Sequence, residues 1–329
     1  MRAVLLEDVR QSTLRLAEVP RPVPGAGQAL VRIHASGVNP LDSKIRTGKA
    51  GHARVTPPAI LGMDLAGVVE ALGEGVRSFQ IGDEVYGLAG GVGGLQGSLA
   101  EYAVVDADLL VEKPVNLTMR EAASLPLGFI TAWEGLVDRA NVRSGQKVLI
   151  HAGAGGVGHV AVQIARARGA EVFATVSAGK KAIVEGLGAT PIDYRSLSVE
   201  QYVVAHTGGE GFDIVYDTVG GATLDGAFVA VRRYTGHVLS CLGWGSHSLA
   251  PLSFRGATYS GVFTLYPMLS GQGRAHHGEI LREATRMAEA GKLVPLLDPR
   301  RFTLETALEA QLASEAGTAA GKLVVDIAG

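Results

Sequence analysis

Along about the first 115 residues, apolar positions come in short bursts that alternate with polar ones, the period-2 signature of strands. The pattern predicts strands at Arg2–Glu7, Gln28–Ala35, Leu65–Leu72, Leu99–Val105 and Leu109–Lys113. Turn residues separate them, in Pro20-Arg-Pro-Val-Pro-Gly25, in Gly73-Glu-Gly75 and across Gly87–Gly97. Short strands at regular spacing predict an antiparallel barrel or sandwich. At Thr118-Met-Arg-Glu121 the pattern changes to a capping box, so a helix is expected to open there. From Lys147 the rhythm becomes strand, helix, strand, through Lys147–Ala152, Val157–Arg168, Glu171–Val176, Lys180–Leu187, Phe212–Asp217 and His237–Leu242. That alternation predicts a doubly wound parallel sheet with helices on both faces. Beyond about residue 270 come two helical patterns, Glu279–Ala290 closed by Gly291 and Glu305–Ser314, then a last apolar strand, Lys322–Ile327.

The most specific local pattern lies where the α/β rhythm begins. Lys147-Val-Leu-Ile-His-Ala-Gly153-Ala-Gly155-Gly156-Val157-Gly158 runs an apolar strand into Gly-x-Gly-x-x-Gly. A helical face of Val157, Val160, Ala161, Ile164 and Ala165 follows and stops at Gly169. In such a turn the first glycine permits the tight bend, the second lets a pyrophosphate approach the backbone, and the third lets helix pack on strand. The helix N-terminus then offers amide hydrogens and partial positive charge to that anion. A ligand-free glycine turn fits the six residues taken alone; the strand–turn–helix–strand context favours a dinucleotide. An NAD site places an acid at the end of the next strand, about 20 residues on. Here that strand runs into Ala174-Thr-Val-Ser177-Ala-Gly-Lys-Lys181 with no acid, while Glu171 stands at its other end. The Ser177 hydroxyl with Lys180 and Lys181 suits a 2′-phosphate, so NADP(H) is the expected cofactor. Asp217, Thr218 and Val219 end a further strand at the carboxyl edge, where open α/β sheets bind ligands; a plain loop is the alternative.

Composition narrows the class. The 329 residues carry 30 basic and 32 acidic side chains, a net charge of −2, and are 47 % hydrophobic and 19 % charged. That balance argues against disorder and against nucleic acid as the primary partner. The single cysteine, Cys241, excludes an internal disulfide framework and an all-cysteine zinc site; it reads as a buried apolar strand residue. Acids stand within the first eight residues and no apolar run reaches the ~18–20 residues of a membrane helix, so neither a signal peptide nor a membrane span is expected. A reducing, cytoplasmic location fits. His276-His277 is expected in a polar, solvated loop.

Several stretches, in order, resemble one family. They are Gly37-Val-Asn-Pro-Leu-Asp-Ser-Lys-Ile-Arg-Thr-Gly48, Pro58-Ala-Ile-Leu-Gly-Met-Asp-Leu-Ala-Gly67, Gly82-Asp-Glu-Val-Tyr-Gly87, Gly97-Ser-Leu-Ala-Glu-Tyr102, Ala123-Ser-Leu-Pro-Leu-Gly-Phe-Ile-Thr-Ala-Trp133, the glycine turn, Phe212-Asp-Ile-Val-Tyr-Asp-Thr-Val-Gly220 and Gly321-Lys-Leu-Val-Val325. The chain resembles the medium-chain dehydrogenases/reductases, in the zinc-independent quinone oxidoreductase (zeta-crystallin-like) branch. The resemblance implies a GroES-like β-barrel catalytic domain in residues 1–125, an inserted Rossmann NADP-binding domain in 126–268, and a return segment in 269–329 that completes the catalytic domain. It also implies a homodimer formed through Rossmann edge strands, with Thr258–Leu265 as the candidate strand.

Zinc-dependent relatives hold the metal with Cys, His and Cys. The resemblance places Asn39, Met63 and Leu127 at those positions, with Asp64 beside the middle one, and none of the three donates thiolate or imidazole. No metal is therefore expected, and the activity implied is hydride transfer from NADPH to an acceptor already electron-poor: a quinone, an enone or an enal. The alternatives are a 2-enoyl thioester or enal reductase and a non-catalytic NADPH-binding protein recruited to a structural or RNA-binding role. By the same resemblance Asn39 lies near the nicotinamide and the substrate oxygen, and Thr131 beside the nicotinamide; a bare Asn-Pro turn and a helix cap are the plain alternatives. Gly155, Gly156 and Val157 would face the pyrophosphate, and Ser177, Lys181 and Tyr194 the adenosine 2′-phosphate. Thr218, Val219, Leu242, Gly243 and Phe263 would line the nicotinamide side. No general acid is apparent, since Lys44, His52 and Tyr86 qualify by residue type only.

Overall fold

The structure, a computed structural model, describes residues 1–327. The described residues form two compact units: Met1–Leu127 with the segment from Leu265 onward, and Gly128–Thr264.

The first unit is built on Gln28–Gly37, a ten-residue strand that is mostly buried. One edge pairs antiparallel with Asp64–Leu72. The other is shared, with Gln28–Arg32 meeting Tyr102–Asp106 and Ala35–Gly37 meeting Val324–Asp326. Register shifts after Leu30 and Ile33 bend the strand so that it serves both partners. Glu84–Leu88 and Leu110–Glu112 continue the sheet on one side and Phe302–Thr303 on the other. A smaller sheet joins Leu14–Glu18, Arg2–Leu6 and Ala59–Ile60.

Two of these strands have weak sequence signals. Gly87, read as punctuation, lies inside Glu84–Leu88, because a Cβ there would overlap the Leu109 carbonyl oxygen; the glycine permits a close backbone approach. Leu14–Glu18 has no buried residue, so its apolar signal is faint. Thr118 and Glu121 do cap the helix Met119–Ala123 reciprocally. The expected helix at Glu279 begins a turn earlier, as Arg274–Glu289. His276 and His277 therefore sit in a helix instead of a polar loop, and His277 is fully buried beside Ile280 and Leu281 on its apolar face.

The second unit is a six-stranded parallel sheet in the spatial order Thr190–Asp193, Glu171–Val176, Lys147–Ile150, Ile214–Asp217, His237–Ser240, Thr258–Gly261. Strands placed third, second, first, fourth, fifth and sixth make the doubly wound dinucleotide order, which reverses direction beside Lys147–Ile150. Leu149, Phe173, Phe212, Val215, Phe228 and Val238 form its core. Among the elements that went unread in the sequence are the edge strand Thr190–Asp193, which contains Pro191, and the helices Val199–Thr207, Ala222–Ala230 and Ala250–Ser253. Thr258–Gly261 is the other edge and stops short of Leu265. Cys241, expected as a buried residue inside a strand, lies one residue beyond the observed strand His237–Ser240 and is half-buried, with Sγ 3.9 Å from the Asp217 carbonyl oxygen.

Candidate functional site

In the second unit, the strand Lys147–Ile150 opens into the glycine turn through Ala152, which takes a left-handed φ of 51°. That conformation is held from both sides. The Gly155 amide donates to the Ala152 carbonyl at 2.8 Å, and the Ala152 amide to the Thr175 hydroxyl at 3.1 Å. A Cβ at Gly153 would overlap the Ala174 side chain, and one at Gly158 the Ala152 carbonyl oxygen, so packing demands both glycines. Gly156 differs: it is exposed, and a Cβ there would meet nothing within 4 Å. Neither packing nor a positive φ requires it, and the bare backbone stands just before the ten-residue helix Gly158–Ala167. Such a cradle fits a pyrophosphate.

Ser177, Lys181 and Tyr194 come together at the carboxyl ends of the neighbouring strands Glu171–Val176 and Thr190–Asp193, whose Val176 and Asp193 are in register. Lys181 Nζ lies 3.8 Å from Asp193 Oδ2 in a partly exposed pair. Tyr194 is 52 % exposed, and the Arg195 guanidinium lies 5.6 Å from its ring centre. Asp193 and Arg195 were not expected here, although both adjoin Tyr194, because the acid that marks an NAD site stands at the end of the second strand and not the third.

The next strand ends converge on Asp217, which is fully buried. Its carboxylate accepts from the Val219 and Gly220 amides at 3.1 and 3.0 Å and from the Ser240 hydroxyl at 2.7 Å, with His151 Nδ1 at 3.6 Å. Burial alone would raise its pKa, but these partners hold it below the ordinary carboxylate value. Asp217 thus ties three strand ends together. Thr218 donates to the His151 carbonyl at 2.7 Å and Val219 is half-exposed. Leu242 donates its amide to Ser240 Oγ at 3.1 Å, Gly243 packs under the Tyr259 hydroxyl, and Phe263 meets Trp244 edge-on at 6.0 Å. Thr131 lies inside the helix Pro126–Trp133, which rules out the cap reading. Its hydroxyl is 3.1 Å from that of Thr264 and its carbonyl accepts from Tyr216 at 2.6 Å.

Asn39 belongs to the first unit, where it precedes the helix Pro40–Arg46. Its amide donates to Asp42 Oδ2 at 2.8 Å, which closes the first turn. The side chain is held at both ends: Nδ2 donates to Asp64 Oδ2 at 2.8 Å, and Oδ1 accepts from the Lys322 ammonium. Asp64 Oδ1 accepts from the Leu127 amide at 2.8 Å, and Lys322 Nζ lies 3.6 Å from Asp64 Oδ2. Asn39, Asp64 and Lys322 are 2 %, 0 % and 8 % exposed. Burial raises both acids: Asp64 against the pull of Lys322 and Asn39, and Asp42 to about 7, with Asp64 adding to the rise. Lys322 was missed as a site residue, yet a lysine opening an apolar strand run is a visible signal. Tyr86 is fully buried with its hydroxyl donated to the Leu281 carbonyl at 2.8 Å, which makes it a core residue.

Two families match: the alcohol dehydrogenase GroES-like domain over residues 25–115 and the zinc-binding dehydrogenase family over 187–325. The chain is 35 % identical over 306 residues to the 2-methylene-furan-3-one reductase of Solanum lycopersicum, covering 91 % of this chain and 71 % of that protein. The NADPH-dependent alkenal/one oxidoreductase, chloroplastic, of Arabidopsis thaliana is also 35 % identical over 306 residues, 91 % of this chain and 72 % of that protein. A phenolphthiocerol synthesis polyketide synthase of Mycobacterium bovis is 36 % identical over 279 residues, and there the alignment spans only 12 % of the longer protein. Among solved structures, an alcohol dehydrogenase superfamily protein from Novosphingobium aromaticivorans superposes with a TM-score of 0.97 at 56 % identity, over the full length of both chains.

Despite one family's description, the donor set does not fit zinc. Asn39 offers a carboxamide whose oxygen already faces a lysine ammonium, Met63 a buried thioether and Leu127 an alkyl chain. No three His, Cys, Asp or Glu among the described residues are grouped to hold a metal ion.

Proposed function

The chain belongs to the medium-chain dehydrogenase/reductase superfamily, in its quinone-oxidoreductase-like branch, and we propose that it reduces α,β-unsaturated carbonyls and quinones with NADPH and without zinc. One observation carries this reading: a dinucleotide turn whose exposed Gly156 is required by nothing inside the chain. The tomato and Arabidopsis relatives, a reductase of a methylene-furanone and an alkenal/one oxidoreductase, support the choice of acceptor.

Bound NADPH supplies the hydride. Gly153, Gly155, Gly156, Val157 and Gly158 would hold its pyrophosphate, and Ser177, Lys181 and Tyr194 its 2′-phosphate end, Lys181 exchanging Asp193 for the phosphate. Thr218, Val219, Leu242, Gly243 and Phe263 would line the nicotinamide end, with Thr131 beside it. Asn39 Nδ2 carries two hydrogens, of which Asp64 takes one; we assign the second to the acceptor oxygen, where negative charge grows as hydride arrives. Solvent supplies the completing proton. In this reading the protein works as a cytoplasmic homodimer joined through Thr258–Gly261.

Aerobic NADPH oxidation with a panel of enones, enals, 2-enoyl thioesters and quinones tests the proposal. Acceptor-dependent oxidation with enones or quinones is expected. Tight NADPH binding without oxidation by any acceptor would instead identify a non-catalytic NADPH-binding protein.

A further inference from the structure

The three positions at which zinc-dependent relatives would hold their metal do not lie idle. Asn39 Nδ2 and the Leu127 amide both donate to the carboxylate of Asp64, the neighbour of Met63. That carboxylate is buried, and the cation that balances it is Lys322, which lies 283 residues beyond Asn39 in sequence. An ammonium this deep is held only by partners that compensate it, and here they are the Asn39 carbonyl oxygen and Asp64.

We propose that Lys322 is a positioning residue, a fixed buried cation standing in for the metal, which sets the direction of the Asn39 carboxamide. Asn39 lies between opposite charges. Its oxygen turns to the ammonium and its amide to the carboxylate, and the flipped orientation would set NH₂ against ammonium and oxygen against carboxylate. With the flip forbidden, the second Nδ2 hydrogen has one direction. Lysine suits the task as a compact point charge with rotatable donors, whereas the wide, planar guanidinium of arginine would need more room. The ion pair with Asp64 is thus more than structural.

The inference rests on the reading that Asn39 addresses the acceptor, and its test separates the two. Lys322→Met alone leaves a buried carboxylate uncompensated and is expected to fold poorly. The double variant Lys322→Met/Asp64→Asn replaces the pair by neutral groups and is expected to fold and to bind NADPH within about twofold of the parent. Its kcat with an enone should fall ~30–100-fold, the scale of a lost oxyanion donor. Adding Asn39→Ala to the double variant should cost less than about threefold more, since residues acting as a unit are non-additive. A double variant within about threefold of parental kcat overturns the proposal, as does full additivity with Asn39→Ala. The side-chain amide of Asn39 gives a readout independent of turnover: its NMR signals should be protected from exchange in the parent and lose protection in the double variant. Equal protection in both overturns the proposal whether or not the parent is active. A parent that oxidises no NADPH while the Asn39 signals respond to Lys322 would reject only the assigned activity.

Discussion

The glycine turn supports a paired prediction, because two of its glycines should fail for opposite reasons. At Gly156 a Cβ meets nothing within 4 Å and the φ is not in the left-handed region. Alanine there should be neutral or stabilising by ~0.4–1 kcal/mol through the unfolded chain, a Tm rise of about 1–3 °C. The new methyl group would, however, occupy the surface where a pyrophosphate meets the backbone. Losing one charge-assisted hydrogen bond costs ~1.5–3 kcal/mol, so NADPH should bind ~10–150-fold more weakly. At Gly158 the added methyl overlaps the Ala152 carbonyl oxygen, an atom fixed by the turn itself. Overpacking of that kind costs ~1–3 kcal/mol or more, so Gly158→Ala should lower Tm by several degrees.

Scanning calorimetry of the free proteins, with titration of NADPH fluorescence, separates the two effects. Gly156→Ala should keep its Tm and lose affinity; Gly158→Ala should lose Tm first. If Gly156→Ala binds NADPH as the parent does, the open backbone at Gly156 is not a pyrophosphate surface, and the dinucleotide reading of the turn fails with it.

Other predictions follow from the same geometry. Lys181→Asp should weaken NADPH far more than NADH in parallel titrations, while Asp193→Asn, which removes a competing carboxylate, should tighten NADPH; equal effects on both nucleotides would refute the 2′-phosphate assignment. Exhaustive chelation should leave turnover unchanged, and a loss restored by zinc would refute the donor-set argument. Asn39→Ala should slow enone reduction ~100-fold with NADPH affinity nearly unchanged, and Asn39→Asp should be slower still, since a second carboxylate would face Asp64 and repel the charge that hydride creates. Asp42 titrates at about 7 in the folded chain against its ordinary 3.8, so the folded form retains a proton that the unfolded form has released. Its contribution to stability therefore falls as pH rises from ~4 to ~7 and levels above that. Asp42→Asn keeps an acceptor for the Asn39 amide and leaves Asp64 and Lys322 in place, so its Tm should decline less across that range; parallel Tm–pH curves for parent and variant would count against the buried carboxyl.

What the sequence disclosed and what it hid divide along the range of the interactions. The capping box at Thr118 and Glu121, the strand into Gly153, and the helical face from Val157 to Ala165 are set by residues within a few positions of each other. Their geometry could be read where they stand. Elements shaped by distant chain were misjudged. Gly87 looked like a turn because the Leu109 carbonyl that requires it is not its neighbour in sequence. His277 looked solvated because the apolar face that covers it belongs to a helix beginning a turn before the obvious amphipathic pattern.

The buried cluster is the extreme case. That Asn39, Met63 and Leu127 offer no thiolate or imidazole can be read locally, since each side chain can be judged alone. The contacts among Asn39, Asp64 and Lys322 join residues far apart, and no window of sequence contains them. Asp64 is an acid in a dry site, and the Lys322 ammonium stands 3.6 Å from its carboxylate. That cation comes from the lysine at the head of an apolar strand run. Both residues were visible in the sequence even though their pairing was not. Lys322 meets this buried acid with its ammonium also on the Asn39 oxygen, so one distant lysine serves both side chains.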